Sequence, residues 1–315
     1  MQFDFHTTKS IFLQRGGSAN LAKLIQERGG KSVLIVTDPG VLSAGLLEKT
    51  LSGFKSAGLP LQIFSDVQAD PPISVINNAV KVAQEYGADF IVGFGGGSSM
   101  DVAKLVALLA LGKEKLADIY GVDMVKGPRL PLILVPTTAG TGSEATKSSV
   151  VTVSESEKKG VLSPHLLPDL ALLDPELTLG LPPHVTAATG IDAMVHAIEA
   201  FTTKRLKNPM ADCLAKEALR LLSGNLHKVV NAGNDIVARE NMLLGACLAG
   251  MAFANAPVAG VHALAYPIGA RFHVPHGLSN SLVLESVLRF NLEVAHPMYA
   301  ELGRIIKPGL SGTTM

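Results

Sequence analysis

DFIVGFGGGSSMDVAK, residues 89–104, passes from an apolar run through three glycines into a helical pattern. A short buried strand, a glycine turn and a helix in that order make the repeating unit of a parallel sheet covered by helices. The same order recurs along the first half. KSVLIVTD (31–38) precedes a helical pattern over 41–57, LQIFSDV (61–67) precedes one over 73–86, and the run at 89–97 precedes one over 99–112; LPLILVPTT (130–138) is a fourth apolar run. These runs are apolar at nearly every position rather than alternating, as expected of strands buried on both faces. SSVVTVS (148–154), KGVLS (159–163) and LALLD (170–174) add short strands. From about residue 181 the period changes to 3.6, with helical stretches over 184–202, 209–231, 236–254 and 281–304 and no strand signal between them. The expected architecture is an α/β domain, a parallel sheet flanked by helices, over residues 1–180 and an all-α domain over 181–315. The Pro- and Gly-rich LDPELTLGLPP (173–183) marks the boundary.

Composition excludes several function classes. Zero formal net charge leaves no basic excess for a phosphate backbone, which argues against nucleic acid as a partner. Charged residues make up 17% and apolar residues 47%, a globular rather than a disordered balance. No apolar run reaches membrane-spanning length without a charge or turn residue, and the N-terminus lacks the basic-then-apolar order of a signal peptide. The only cysteines, Cys213 and Cys247, form no disulfide framework, so a reducing, cytoplasmic setting is expected.

Two loops suit a nucleotide. In GGGSS the backbone can approach a ligand closely, Ser98 or Ser99 can cap the following helix, and the helix N-terminus favours an anion. PTTAGTGSEAT (136–146) places five hydroxyls beside two glycines after the next strand. Both loops fall at the C-terminal ends of parallel strands, where such sheets bind ligands. Asp38 ends an early strand. There it can accept from an adenosine ribose hydroxyl or simply initiate the turn Asp-Pro-Gly.

A second constellation lies in the helical half. GVHALAYPIGARFHVPHG (260–277) holds His262, His273 and His276 among apolar residues and glycine. Isolated histidines of this kind are often buried for structural reasons, but three together need partners once dehydrated. In ATGIDAMVHAIEAF (188–201), Asp192 and His196 are four apart and share a helix face that is otherwise Ala, Ile and Met. Asp192, His196, His262 and His276 would supply one carboxylate oxygen and three imidazole nitrogens, a set suited to Fe²⁺ or Zn²⁺.

GGGSSMDVAK, PTTAGTGSE, the D-x-x-x-H of GIDAMVHAIEAF and the paired histidines of GVHALAYPIGARFHVPHGLSN together resemble the iron-containing, group III alcohol dehydrogenases, in order along essentially the whole chain. The resemblance implies that the α/β domain is a dinucleotide-binding domain, with a metal site in a cleft between the two domains, NAD in preference to NADP, and a homodimer. It matches Asp192, His196, His262 and His276 to the metal ligands, and Gly96, Gly97 and Ser98 to the pyrophosphate loop. It matches Thr137, Thr138 and Thr141 to the second cofactor loop, Asp38 to the position favouring NAD, and Asp70 and Lys158 to cofactor contacts. The chain departs from the pattern at Tyr266, where many members carry a proton-relaying histidine; the proton then leaves by water, by the cofactor ribose or by His273, which can equally line the pocket or lie at the surface. It also ends at PGLSGTTM, where the family usually continues, so a C-terminally shortened chain is expected. The implied reaction is reversible oxidation of a small primary alcohol or diol to its aldehyde. A glycerol-dehydrogenase-like or dehydroquinate-synthase-like reaction, and an inactive nucleotide- or metal-binding protein, are the alternatives.

Overall fold

The computed structural model describes residues 2–154, 157–272 and 274–309. The chain divides into two compact units. One is Thr7–Thr138 with Ser143–Gly180; the other runs from Leu181 onward and includes Ala139–Gly142 and the segment before Thr7.

In the first unit the order is β1 (Ile11–Leu13), α1 (Leu21–Gln26), β2 (Val33–Val36), α2 (Pro39–Ser43), α3 (Glu48–Ala57), β3 (Leu61–Phe64), α4 (Ile73–Tyr86), β4 (Phe90–Gly95) and α5 (Gly97–Leu109). Then come β5 (Gly121–Val122), β6 (Leu132–Pro136), β7 (Ser148–Ser154), β8 (Glu157–Leu162) and β9 (Leu170–Leu173). Six strands form one parallel sheet in the order β1-β9-β6-β4-β2-β3. The apolar runs are explained by what each side chain covers. Leu34, Val36, Ile91, Leu132 and Leu134 pack on one face with Ile76, Met100 and Leu105 of α4 and α5. Val33, Ile35, Phe90, Val92, Ile133 and Val135 pack on the other with Leu21, Ile25 and Phe54 of α1 and α3. Successive residues point to opposite faces, so a strand covered on both sides is apolar throughout. β5, β8 and β7 make a separate three-stranded sheet.

Asp169 fastens this unit. Its carboxylate accepts from Arg129 Nη1 at 2.7 Å, Lys9 Nζ at 2.6 Å and the Leu132 backbone at 2.9 Å, joining the segments that lead into β1, β6 and β9. Burial alone would raise its pKa, but these donors, Arg129 foremost, outweigh burial and hold it at about 2 against an ordinary 3.8. A carboxylate lowered on folding stabilises the fold above its unfolded pKa and loses that contribution as pH falls through its folded one. The contribution is therefore full above about pH 4 and gone near pH 2, and is worth ~1–2 kcal/mol after solvent screening. Asp169→Asn should lower the urea midpoint at pH 7, and its difference from the wild type should shrink steadily toward pH 2.

The second unit is helical: α6 (Pro183–Thr202), α7 (Pro209–Asn231), α8 (Ile236–Asn255), α9 (Gly260–Phe272) and α10 (His276–Ile306). α7 matches its sequence period, and Asn208 caps it by accepting from the Ala211 backbone at 2.9 Å. α8 is long and apolar enough to cross a membrane by length and composition. However, 56% of that window is buried, and it packs between α6 and α7 as a core helix.

Three expectations are corrected. The 41–57 pattern is two helices, α2 and α3, separated by the turn at 44–47. The 260–272 segment is a helix although it contains Pro267, and α10 begins at His276, five residues before the periodic stretch. Neither Ser98 nor Ser99 caps α5; its N-cap is Gly96, with no side-chain capping bond.

Candidate metal centre and cofactor loops

Three sequence-predicted loop positions meet at the C-terminal ends of adjacent parallel strands. Asp38 follows β2, Gly96–Ser98 follow β4, and Thr137–Thr138 follow β6. Gly95 has a φ of +152°, and a Cβ there would meet Ser99 Oγ at 2.7 Å and Asp38 Oδ2 at 2.9 Å. The chain can turn sharply into α5 only with glycine at this position. With no side chain capping it, the first turn of α5 keeps its N–H groups and positive dipole end available to an anion. Asp38 initiates the turn, as one of its two readings expected, and also binds the start of α5. Oδ1 caps α2 by accepting from the Val41 backbone at 3.0 Å, and Oδ2 accepts from Ser99 Oγ at 2.9 Å.

Thr137 is buried and its N–H donates to Gly95 O at 3.0 Å; Thr138 flanks Gly96. Thr141 lies in the segment counted with the helical unit, where Gly140 contacts Thr189 and Gly142 contacts Gly250. Asp70 and Lys158 pair with each other, Lys158 Nζ lying 2.6 Å from Asp70 Oδ1. Lys159 instead stands over the Tyr120 ring, which separates the two neighbouring lysines. The sequence reading missed Lys104. It is fully buried, and its Nζ donates to Ser143 Oγ at 2.7 Å, Thr146 Oγ1 at 3.1 Å and Ser148 O at 2.7 Å. It thereby ties α5 to the end of the second loop and the start of β7. Burial lowers its pKa, with Asp101 acting against that shift.

In the helical unit, one ligand atom from each of Asp192, His196, His262 and His276 lies within 4.8 Å of the other three. α6 supplies Asp192 and His196 one turn apart, α9 supplies His262, and α10 supplies His276 as its first residue. Asp192 Oδ1 is 3.9 Å from His196 Nε2, 3.7 Å from His262 Nε2 and 3.6 Å from His276 Nε2. A tetrahedral ion with bonds of ~2.0–2.2 Å needs ligand edges of about 3.3–3.6 Å, so the four close on an ion with small adjustments. Asp192, His196 and His262 are buried, whereas the His276 side chain is 41% exposed, which leaves one edge of the centre open.

The electrostatics favour a cation. Burial lowers the pKa of His196 to about 3, leaving a neutral imidazole. Burial would also lower His262, but hydrogen bonds and charges from Asp192 and Glu199 outweigh it and carry that imidazole up to about 9. Burial would raise Asp192, yet the surrounding imidazoles, His196 first, hold its carboxyl far below the usual range. Two buried carboxylates thus draw positive charge to this point. A proton at His262 supplies one unit and a divalent ion two, and the donor set of one oxygen and three imidazole nitrogens fits iron or zinc.

Glu199 went unread in the sequence, although D-x-x-x-H-x-x-E puts it on the face of Asp192 and His196. It is buried, accepts from the Val261 backbone at 2.7 Å and lies 2.6 Å from His262 Nδ1. A carboxylate can only accept, so Nδ1 keeps its proton, and loss of the second proton is what turns an Nε2 lone pair inward. Phe253, also unread, stacks on His196 with centroids 4.3 Å apart. Tyr266 stands one turn after His262, its ring 6.4 Å from His262 and stacked 5.6 Å from His276. His273 lies outside the described residues.

Residues 8–175 match the family model for iron-containing alcohol dehydrogenase, and 186–314 match the C-terminal model of the Fe-containing alcohol dehydrogenase family. Long-chain-alcohol dehydrogenase 1 of Geobacillus thermodenitrificans is 43% identical over 278 residues, 87% of this chain and 70% of that protein. A crystal structure of 1,3-propanediol oxidoreductase superimposes with a TM-score of 0.96 at 35% identity, over 100% of this chain and 82% of the other. Sulfoacetaldehyde reductase from Bifidobacterium kashiwanohense in complex with NAD⁺ superimposes with a TM-score of 0.89 at 30% identity, over 98% and 81%. Two family models that together span nearly all of the sequence, and relatives above 30% identity, show that the chain belongs to the iron-containing alcohol dehydrogenase family.

Proposed function

We propose that this metal-dependent, NAD-linked alcohol dehydrogenase interconverts a small primary alcohol or diol and its aldehyde, with Asp192, His196, His262 and His276 holding the ion. The convergence of these four ligand atoms within 4.8 Å, three buried and one on an open edge, carries the reading. When bound, iron or zinc supplies Lewis acidity at the substrate oxygen, and NAD accepts the hydride. Asp192 contributes the anionic ligand, and Glu199 holds His262 in the tautomer that can ligate. Gly96, Gly97 and Ser98 receive the pyrophosphate at the start of α5, and Thr137, Thr138 and Thr141 offer hydroxyls to the cofactor. Asp70 and Lys158 act there as a pair. Tyr266 offers its phenol to the substrate oxygen or an ordered water beside His276, and His273 passes the released proton outward. The enzyme works as a cytoplasmic homodimer. NADH absorbance on mixing the Fe²⁺- or Zn²⁺-loaded protein with NAD⁺ and ethanol, 1-butanol or 1,3-propanediol tests the reading. Metal-dependent NADH formation supports it, and none with any primary alcohol or diol contradicts it.

Two outcomes follow from particular residues. Asp38, facing the adenosine ribose, would repel a 2′-phosphate, so kcat/KM should favour NAD over NADP. Asp38→Gly, which costs only a few tenths of a kcal/mol at an N-cap, should narrow that ratio by about tenfold, one like-charge contact of ~1.4 kcal/mol; a wild type preferring NADP would refute the assignment. Glu199→Gln can still accept from the Val261 backbone, but its amide would donate to His262 Nδ1 and force the proton onto Nε2. Zn²⁺ affinity, read by chelator competition, should fall about 10- to 100-fold.

A further inference from the structure

We infer that Asn280 is a positioning residue of the metal centre, its carboxamide fixing the Asp192 carboxylate from within the ligand cluster; this rests on the metal reading above. Asn280 lies one turn after His276 on α10 and has no exposed surface. Its Nδ2 donates to Asp192 Oδ1 at 2.6 Å, the same oxygen that faces the three imidazoles. The same nitrogen is 3.3 Å from His262 Nε2 and 3.4 Å from His276 Nε2.

The orientation of the amide follows from its neighbours. Asp192 Oδ1 only accepts, so an inward amide oxygen would oppose it, whereas an inward N–H₂ serves it at 2.6 Å. The cost of this arrangement is on the other side: Asn280 Oδ1 is buried with no hydrogen-bond partner among the described residues. An amide buried with an unpaired oxygen is worse for stability than an apolar side chain of the same size. Packing therefore does not account for asparagine here, whereas the donor does. It holds Asp192 in one rotamer with Oδ1 toward the imidazoles, and it adds no charge to a centre already carrying two carboxylates. Glu199 orients a ligand ring from behind; Asn280 orients the ligand carboxylate from the ligand side.

The test uses chelator-stripped protein titrated with Zn²⁺ against a chromophoric chelator, for wild type, Asn280→Leu, Asn280→Ala and His276→Ala. Both Asn280 variants should bind Zn²⁺ about 10- to 100-fold more weakly. The Leu variant should melt, metal-free, at or above the wild-type temperature, because it removes the unpaired oxygen. Wild-type affinity in both Asn280 variants would overturn the inference, as would an affinity loss matched by an equal loss of metal-free stability in both. If His276→Ala binds Zn²⁺ as well as the wild type, the metal reading itself fails. If His276→Ala loses Zn²⁺ while both Asn280 variants keep it, only the role of Asn280 fails.

Discussion

His276→Ala is expected to release most of the bound metal and to lower kcat/KM by on the order of 10³, since charge stabilisation by a Lewis-acidic ion is worth several kcal/mol. His276 is the informative ligand to remove because its side chain is 41% exposed, and its buried neighbours Asp192 and Asn280 keep their hydrogen bond to each other. Melting of the metal-free variant should stay within ~1 kcal/mol of the wild type, as for most exposed positions. His262→Ala should lose the metal equally but behave differently in stability. It leaves Glu199 buried without its imidazole, and breaking a buried ion pair on one side costs about 3–5 kcal/mol. Metal analysis alongside thermal unfolding of the two variants separates the chemical role of each histidine from its structural one. Full metal occupancy in His276→Ala would contradict the four-ligand centre.

Gly277→Ala is expected to be nearly as damaging without touching a ligand. A Cβ at 277 would lie 2.1 Å from the Ala188 carbonyl oxygen and 2.7 Å from its carbon, both backbone atoms of α6. Backbone cannot swing aside as a flexible side chain can, so the first turn of α10 must move away from α6. His276 is the adjacent residue and moves with it, away from Asp192 and His196. Overpacking of this kind costs ~1–3 kcal/mol or more, and a ligand displaced by about 1 Å costs on the order of 10² in rate. Gly303→Ala on the same helix is the control. Nothing lies within 4 Å of its Cβ, so the change should be neutral or stabilise by ~0.5–1 kcal/mol. Melting temperatures and kcat/KM of the two variants check the pair of expectations; similar values in both would mean that the close approach of α10 to α6 does not set the ligand geometry.

Much of the fold was legible because burial on two faces leaves a plain signal. Val33–Val36 and Leu132–Pro136 are apolar at nearly every position, since alternate residues feed two different cores. α7 was readable to the residue because Asn208 and Pro209 start it. β1 and β5, three and two residues long, are too short for periodicity to register. α9 fell outside the periodic stretches; it holds Pro267 and Gly269, residues of low helix propensity, and tertiary packing keeps the helix.

The four metal-site candidates were legible because His and Asp are conspicuous on an apolar face. Glu199, Asn280 and Phe253 were not, because their roles depend on which way a neighbouring ring or carboxylate points. Glu199 sits at helical spacing from Asp192, but nothing in the sequence pairs it with His262, 63 residues away. Asn280 reads as one polar residue in a long helix until Asp192 is placed against it. Asp38 shows the opposite limit: the sequence offered turn initiation and ligand binding as rivals, and the carboxylate caps α2 with one oxygen while the other accepts from Ser99.

X-ray absorption at the metal edge of anaerobically purified, Fe²⁺-reconstituted protein tests the central claim most directly. The account predicts one ion per chain, with three imidazole nitrogens and at least one oxygen at about 2.0–2.2 Å, and with the imidazole signal reduced in His276→Ala. Sulfur ligation, no imidazole scattering, or an unchanged first shell in His276→Ala would contradict it.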